Sequence, residues 1–174
     1  RKFGSPKEGD ILLTSVGTLG VPYLVEENEE FYFKDGNLTW LKNFSLDVDN
    51  KFIYYWLQSP SGKKEIKSIT IGSTQQALTM TALKKMKISL PPYSQQKKIS
   101  SLLEILDKQI RTNTHLVFSL EQLAQTLFKR WFVDFEFPNE SGNPYKSSGG
   151  KMVKSELGEV PEGWKVTSIA DISA

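Results

Sequence analysis

The stretch Ser94–Phe132, SQQKKISSLLEILDKQIRTNTHLVFSLEQLAQTLFKRWF, contains neither glycine nor proline. Its apolar positions recur at alternating spacings of four and three: Ile99, Leu103, Leu106, Ile110, then Asn113, then Val117, Leu120, Ala124, Leu127 and Trp131. A repeat of about 3.5 residues keeps those side chains on one stripe of a helix, which is the pattern of a coiled coil. At about 1.5 Å per residue such a helix spans on the order of 55 Å. A small domain beside it cannot cover a seam of that length, so the seam needs a second helix. The expected pairing positions are Ile99, Leu103, Leu106, Ile110, Asn113, Val117, Leu120 and Leu127. Asn113 is either a register-setting polar member of the seam or a solvent-facing residue at a local irregularity.

Upstream the rhythm is different. Gly9-Asp10 signals a turn, and Ile11 to Val16 reads as a short buried strand. Gly17-Thr18-Leu19-Gly20 turns the chain, and Val21 to Val25 returns it. Phe31-Tyr32-Phe33 is strand-like, and Asp35-Gly36-Asn37 is a hairpin-type signal before Leu38 to Leu41. Lys51 to Gln58 suits a helix, stopped by Ser59-Pro60-Ser61-Gly62. Ile66 to Ile71 is expected as a strand, Ala82 to Met86 as a helical turn, and Ile88-Ser89-Leu90 as a last strand before Pro91-Pro92. The fold class is α+β: a mixed, mostly-β domain followed by a long coiled-coil-type helix. The expected boundaries are 1–93 for that domain, 94–135 for the spacer helix, 136–154 for a turn-rich linker around Pro138–Ser148, and 155–174 for the start of another unit.

The 174 residues carry a formal net charge of +2 and no cysteine. Absence of cysteine rules out disulfides and thiolate zinc sites and fits a reducing compartment, so a cytoplasmic location is expected. His115 is the single histidine, which nearly excludes histidine-based metal sites and Ser-His or Cys-His catalysis. No apolar run is long enough to span a membrane. The small net charge hides an asymmetry. Between residues 63 and 98 stand Lys63, Lys64, Lys67, Lys84, Lys85, Lys87, Lys97 and Lys98 against Glu65 alone. Residues 26–50 and 133–174 are acidic. The basic stretch is either a solvated face or an electrostatic footprint for a polyanion. Inside it lies Gly72-Ser73-Thr74-Gln75-Gln76-Ala77-Leu78-Thr79-Met80, in which nothing ionises.

Several pieces together resemble the specificity (S) subunit of type I restriction–modification systems. They are Gly9-Asp10-Ile11-Leu12-Leu13; Gly72-Ser73-Thr74-Gln75; Leu90-Pro91-Pro92-Tyr93 followed by Gln95 or Gln96 and Ile99; the long helix ending Leu127-Phe128-Lys129-Arg130-Trp131-Phe132-Val133-Asp134-Phe135; and Leu157-Gly158-Glu159-Val160-Pro161-Glu162-Gly163-Trp164. The resemblance implies target recognition domains, each followed by a long helix, with the helices packed antiparallel to set the distance between two half-sites. This chain holds one such helix, so its pairing partner would be a second copy or a missing half. Residues 1–93 correspond to the distal part of a recognition domain, and 155–174 to the start of one. The implied partners are double-stranded DNA and the methyltransferase (M) and restriction (R) subunits. Methyl donor and ATP are expected on those subunits, with no cofactor on this chain.

That resemblance gives the neutral loop a role. Uncharged donors and acceptors match base edges, which carry hydrogen-bonding patterns and no charge. Ser73, Thr74 and Gln75 are therefore candidate DNA-reading residues. Lys63, Lys64, Lys67, Lys84 and Lys85 are candidate phosphate contacts that position without specifying. The structural alternative is that Ser73 and Thr74 cap the turn that follows.

A catalytic role is not expected. Adenine-N6 methyltransferases place Asn or Asp before Pro-Pro-Tyr to accept a hydrogen bond from the target amino group. Here that position is Leu90, which accepts nothing. No glycine-rich loop stands in the arrangement of a methyl-donor site. Trp40, Tyr54, Tyr55 and Trp56 are expected in the core rather than as base-stacking platforms. The alternative function is a coiled-coil adaptor, unrelated to DNA, whose β domain binds protein.

Overall fold

A computed structural model of the chain describes residues 5–29, 37–70 and 77–173. The expected strand at Phe31–Phe33, the Asp35-Gly36 signal and the loop residues Ser73, Thr74 and Gln75 lie outside the described residues. The chain divides into two compact units, Arg1–Gln109 and Ile110–Ala174.

The first unit is built on three antiparallel strands, β1 (Ile11–Thr14), β2 (Pro22–Leu24) and β3 (Leu38–Leu41), in the order β2-β1-β3. β1 is central: Ile11 pairs with Leu24 on one side and Leu41 on the other. Ile11, Leu12 and Leu13 are all buried, which explains an apolar run without alternation. The core gathers Ile11 and Leu13 with Leu57, Ile66 and Leu78.

Helix α1 (Asn50–Gln58) forms where the sequence places it, with Asp49 as N-cap accepting from the Phe52 amide. The next segment corrects the sequence reading. Ser59-Pro60-Ser61-Gly62 does not only end α1; it starts α2 (Pro60–Ile69), with Ser59 accepting from the Gly62 amide and Pro60 in the first turn. The expected strand at Ile66–Ile71 is helical through Ile69. The β-branched residues mislead because the cap outweighs their weak strand preference, and burial of Ile66 favours either backbone. Gly62 allows the tight helix–helix corner, since a Cβ there would stand 2.1 Å from the Trp56 carbonyl oxygen.

Ala77 bridges Val16, and Leu78 donates its amide to the Ser15 carbonyl. Thr79 then caps the short α3 (Met80–Leu83), which begins two residues ahead of the expected helical turn. Ile88-Ser89-Leu90 is not a strand. The two prolines that follow have no N–H to extend a ladder; instead they start a helix. Helix α4 (Tyr93–Phe128) continues without a break into a π-helical turn, Lys129–Val133. The long helix is thus present over the expected span, beginning in the first unit and ending in the second.

In the second unit the π turn closes with the Asp134 amide on the Lys129 carbonyl at 2.8 Å, and the Lys129 ammonium pairs with the Asp134 carboxylate. Phe135 follows at φ 59°. Phe132, Phe135 and Phe137 then gather around Trp164, with Phe137 also stacked on Tyr145 at 4.7 Å. Strands β4 (Met152–Ser155) and β5 (Gly158–Pro161) form a hairpin, and α5 (Ile169–Ile172) starts from a capping box of Ser168 and Asp171.

Candidate nucleic-acid interface

Three of the candidate lysines sit on a helix where the sequence reading placed them beside a strand. Lys63, Lys64 and Lys67 belong to α2, whose buried face carries Gly62 and Ile66. Spacing of 3.6 residues per turn therefore sends the three lysines outward, and all three are exposed. Lys84, Lys85 and Lys87 follow α3 and are exposed as well. Among the described residues, none of these six ammonium groups meets a carboxylate. Glu65 is the single acid between Lys63 and Lys98, and it stands three or four residues from none of Lys63, Lys64 and Lys67, so the sequence offers those lysines no helical acid–lysine pair.

Lys97 behaves differently from the rest of the basic stretch. Its ammonium lies 3.0 Å from Oδ1 of Asp49, which is 2% exposed, and that oxygen has no hydrogen-bond partner among the described residues apart from this ion pair. The hydrogen bond to Asp49, ahead of smaller contributions, raises the Lys97 pKa above its ordinary 10.5. Lys97 is a structural cation, not a free one.

It belongs to a polar clamp that sequence reasoning missed. Gln96 and Ser100 are each 1% exposed. Gln96 Oε1 accepts from the Asp49 amide at 2.9 Å, and its Nε2 donates to the carbonyls of Pro91 (2.8 Å) and Asp47 (3.1 Å). The Ser100 hydroxyl donates to Asp49 Oδ2. One turn on, Lys51 pairs with Glu104 at 2.5 Å. Tyr55 is pushed above its ordinary pKa by burial and then by a hydrogen bond to Asp107. The clamp ties the start of α4 to the cap of α1. The only sequence signal for it was the spacing of Gln96 after the Pro-Pro pair, which did not separate Gln96 from Gln95.

The described end of the neutral loop is structural: Leu78 is in the core and Thr79 is a cap. Leu90-Pro91-Pro92-Tyr93 is the entry to α4, with the Pro92 carbonyl accepting from the amides of Gln95 and Gln96. No group of three His, Asp or Glu side chains among the described residues is placed to hold a metal ion.

Along α4 the seam residues Ile99, Leu106, Ile110, Val117, Leu120 and Leu127 are exposed, and Leu103 is half-buried. Asn113 falls between Ile110 and Val117 on the exposed helix. The apolar face is wider than the seam. Leu102, Ile105, Leu116 and Leu123, each one residue ahead of a seam position, are also exposed. No helix among the described residues is long and apolar enough to cross a membrane.

Comparison with known proteins agrees with this architecture. The type I restriction modification DNA specificity domain family matches residues 2–122. The type I restriction enzyme MjaIX specificity subunit of Methanocaldococcus jannaschii is 31% identical over 95% of this chain and 36% of its own length. The type I restriction enzyme HindI specificity subunit of Haemophilus influenzae is 29% identical over 87% of this chain and 33% of its own. The chain thus spans about a third of the length of the curated relatives it matches. The crystal structure of a type I restriction–modification system S subunit from M. genitalium superposes with a TM-score of 0.61 at 22% identity, covering 75% of this chain and 34% of that one. That likeness shows a shared fold. With most of its length matched by one family, the chain belongs to the type I restriction modification DNA specificity domains.

Proposed function

We propose that this chain reads one half of a split DNA site and scaffolds the methyltransferase subunits of a type I restriction–modification enzyme. The observation that carries the reading is the set of exposed lysines on α2 and after α3, unpaired among the described residues and accompanied by one acid. Such a surface attracts phosphate and holds it without distinguishing sequence. Ser73, Thr74 and Gln75, flanked by these lysines in sequence, are the proposed base readers. The chain itself is non-catalytic in this reading, and methyl donor and ATP are bound by partner subunits. The α4 seam pairs antiparallel with the equivalent helix of a second copy or of a missing half, and the flanking leucines offer a docking face to the M subunits.

Titrating the chain with short mixed-sequence duplex DNA over a range of salt concentrations tests the reading. Binding should weaken steeply, with a slope of roughly one unit per phosphate contact. A protein-binding adaptor would show no such slope, and that result would overturn the proposal.

A further inference from the structure

A groove of about 500 Å³ opens in the first unit, between the β1–β2 turn and α2. Its walls are Gly17 to Pro22 (apart from Thr18) on one side and Lys63, Ile66, Lys67 and Thr70 on the other, with Gln58 from the last turn of α1 beside them. The volume falls in the range of about 300–1,000 Å³ in which proteins hold small-ligand-sized groups.

The turn wall is rigid. Gly20 donates its amide to the Thr14 carbonyl at 2.8 Å, Val21 donates to the Thr14 hydroxyl at 3.0 Å, and that hydroxyl donates to the Thr18 carbonyl. Gly20 also sets the width. It lies at φ 73°, and a Cβ there would stand 2.8 Å from Ile66 Cγ2, so only glycine lets the turn come down on α2.

The chemistry of the lining selects the occupant. Lys63 and Lys67 are four residues apart on α2, so both residues stand on one wall, with positions about 6 Å apart along the helix axis. Among the described residues, neither a carboxylate nor a histidine lines the groove. The neutral polar side chains are Gln58 and Thr70. The Thr70 hydroxyl already donates to the Ile66 carbonyl at 2.8 Å. The Gln58 amide makes only a long 3.4 Å bond to the Tyr54 carbonyl and is exposed, leaving it available to a base edge.

Resting on the function proposed above, we infer that this groove seats one strand of duplex DNA, with Lys63 and Lys67 on its phosphates and Gln58 reading a base edge. Gln is the bidentate match for adenine in the major groove, so the base pair that Gln58 reads is A·T.

The test uses the full chain and a randomised duplex library, with bound sequences recovered and the preferred duplex measured against a scrambled one. Circular dichroism melting confirms that each variant is folded, as its exposed positions predict. Gln58→Ala should leave scrambled-duplex affinity and salt slope unchanged. It should weaken the preferred duplex about 5- to 150-fold and erase the preference at one A·T pair. Lys63→Gln with Lys67→Gln should weaken every duplex alike and reduce the salt slope by roughly two units. If Gln58→Ala recovers the same preferred sequence at the same affinity, the groove is not the reading surface. The groove is equally excluded if the slope responds to Lys84→Gln and Lys85→Gln but not to the α2 pair; in both cases the DNA-recognition function stands and only the groove assignment falls. Absence of salt-dependent duplex binding by the unmodified chain overturns both.

Discussion

Replacing Gln96 by alanine should destabilise the first unit strongly, and the structure sets the size. Gln96 makes three hydrogen bonds while 1% exposed. Two of its partners, the carbonyls of Asp47 and Pro91, belong to exposed and half-buried residues that water can reach. Losing those bonds costs about 0.5–1.5 kcal/mol each. The third partner is the backbone amide of Asp49, in a residue 2% exposed. Left without an acceptor, that amide costs a further 1–3 kcal/mol or so. The expected total is roughly 2–6 kcal/mol. For a chain of this length that lowers Tm by roughly 4–24 °C. Gln95→Ala is the control: Gln95 is exposed, so the change should stay within about 0.5 kcal/mol. Thermal and urea unfolding, followed through the fluorescence of Trp40 and Trp56 in the same unit, separates the two. If Gln96→Ala melts together with Gln95→Ala, the clamp does not hold α4 to the domain.

The wide apolar face of α4 predicts self-association at micromolar concentration by sedimentation or light scattering. Asn113→Leu should tighten or scramble that association by removing a polar seam residue; a monomeric chain would count against pairing. Because the Lys97 pKa is raised in the fold, its contribution is complete below the ordinary 10.5 and is lost as pH rises through the folded value. The stability gap between the wild type and Lys97→Met should therefore be constant near neutrality and close above pH 10.5. Ultraviolet titration should find Tyr23 ionising at about 12, chiefly because its hydroxyl donates to Glu29, and Tyr23→Phe should remove that step. Gln75→Ala should cost roughly 1–3 kcal/mol on the preferred duplex and nothing on scrambled DNA; equal loss on both would make Gln75 a turn residue.

Periodicity alone determined the long helix, because a 3.5-residue repeat free of glycine and proline favours a continuous helix over Ser94 to Phe132; the π-helical turn from Lys129 was not legible in it. The central strand expected over Ile11–Val16 forms over Ile11–Thr14, where the apolar run is buried, and the basic character of residues 63–98 is a matter of composition. Tertiary structure decided the rest. Ile66–Ile71 has strand-like residues, yet the Ser59 cap, Pro60 and the glycine-tight corner at Gly62 commit most of it to α2, a choice made by packing against α1. That change turned Lys63 and Lys67 from flanks of a strand into one wall of a groove whose other wall lies over forty residues earlier in the chain. Gln95 and Gln96 are indistinguishable as letters; only the position of Asp49 across the fold makes one a buried anchor and leaves the other in water. Local sequence encodes backbone period and capping, whereas burial of a polar side chain depends on partners that the chain brings together only when it folds.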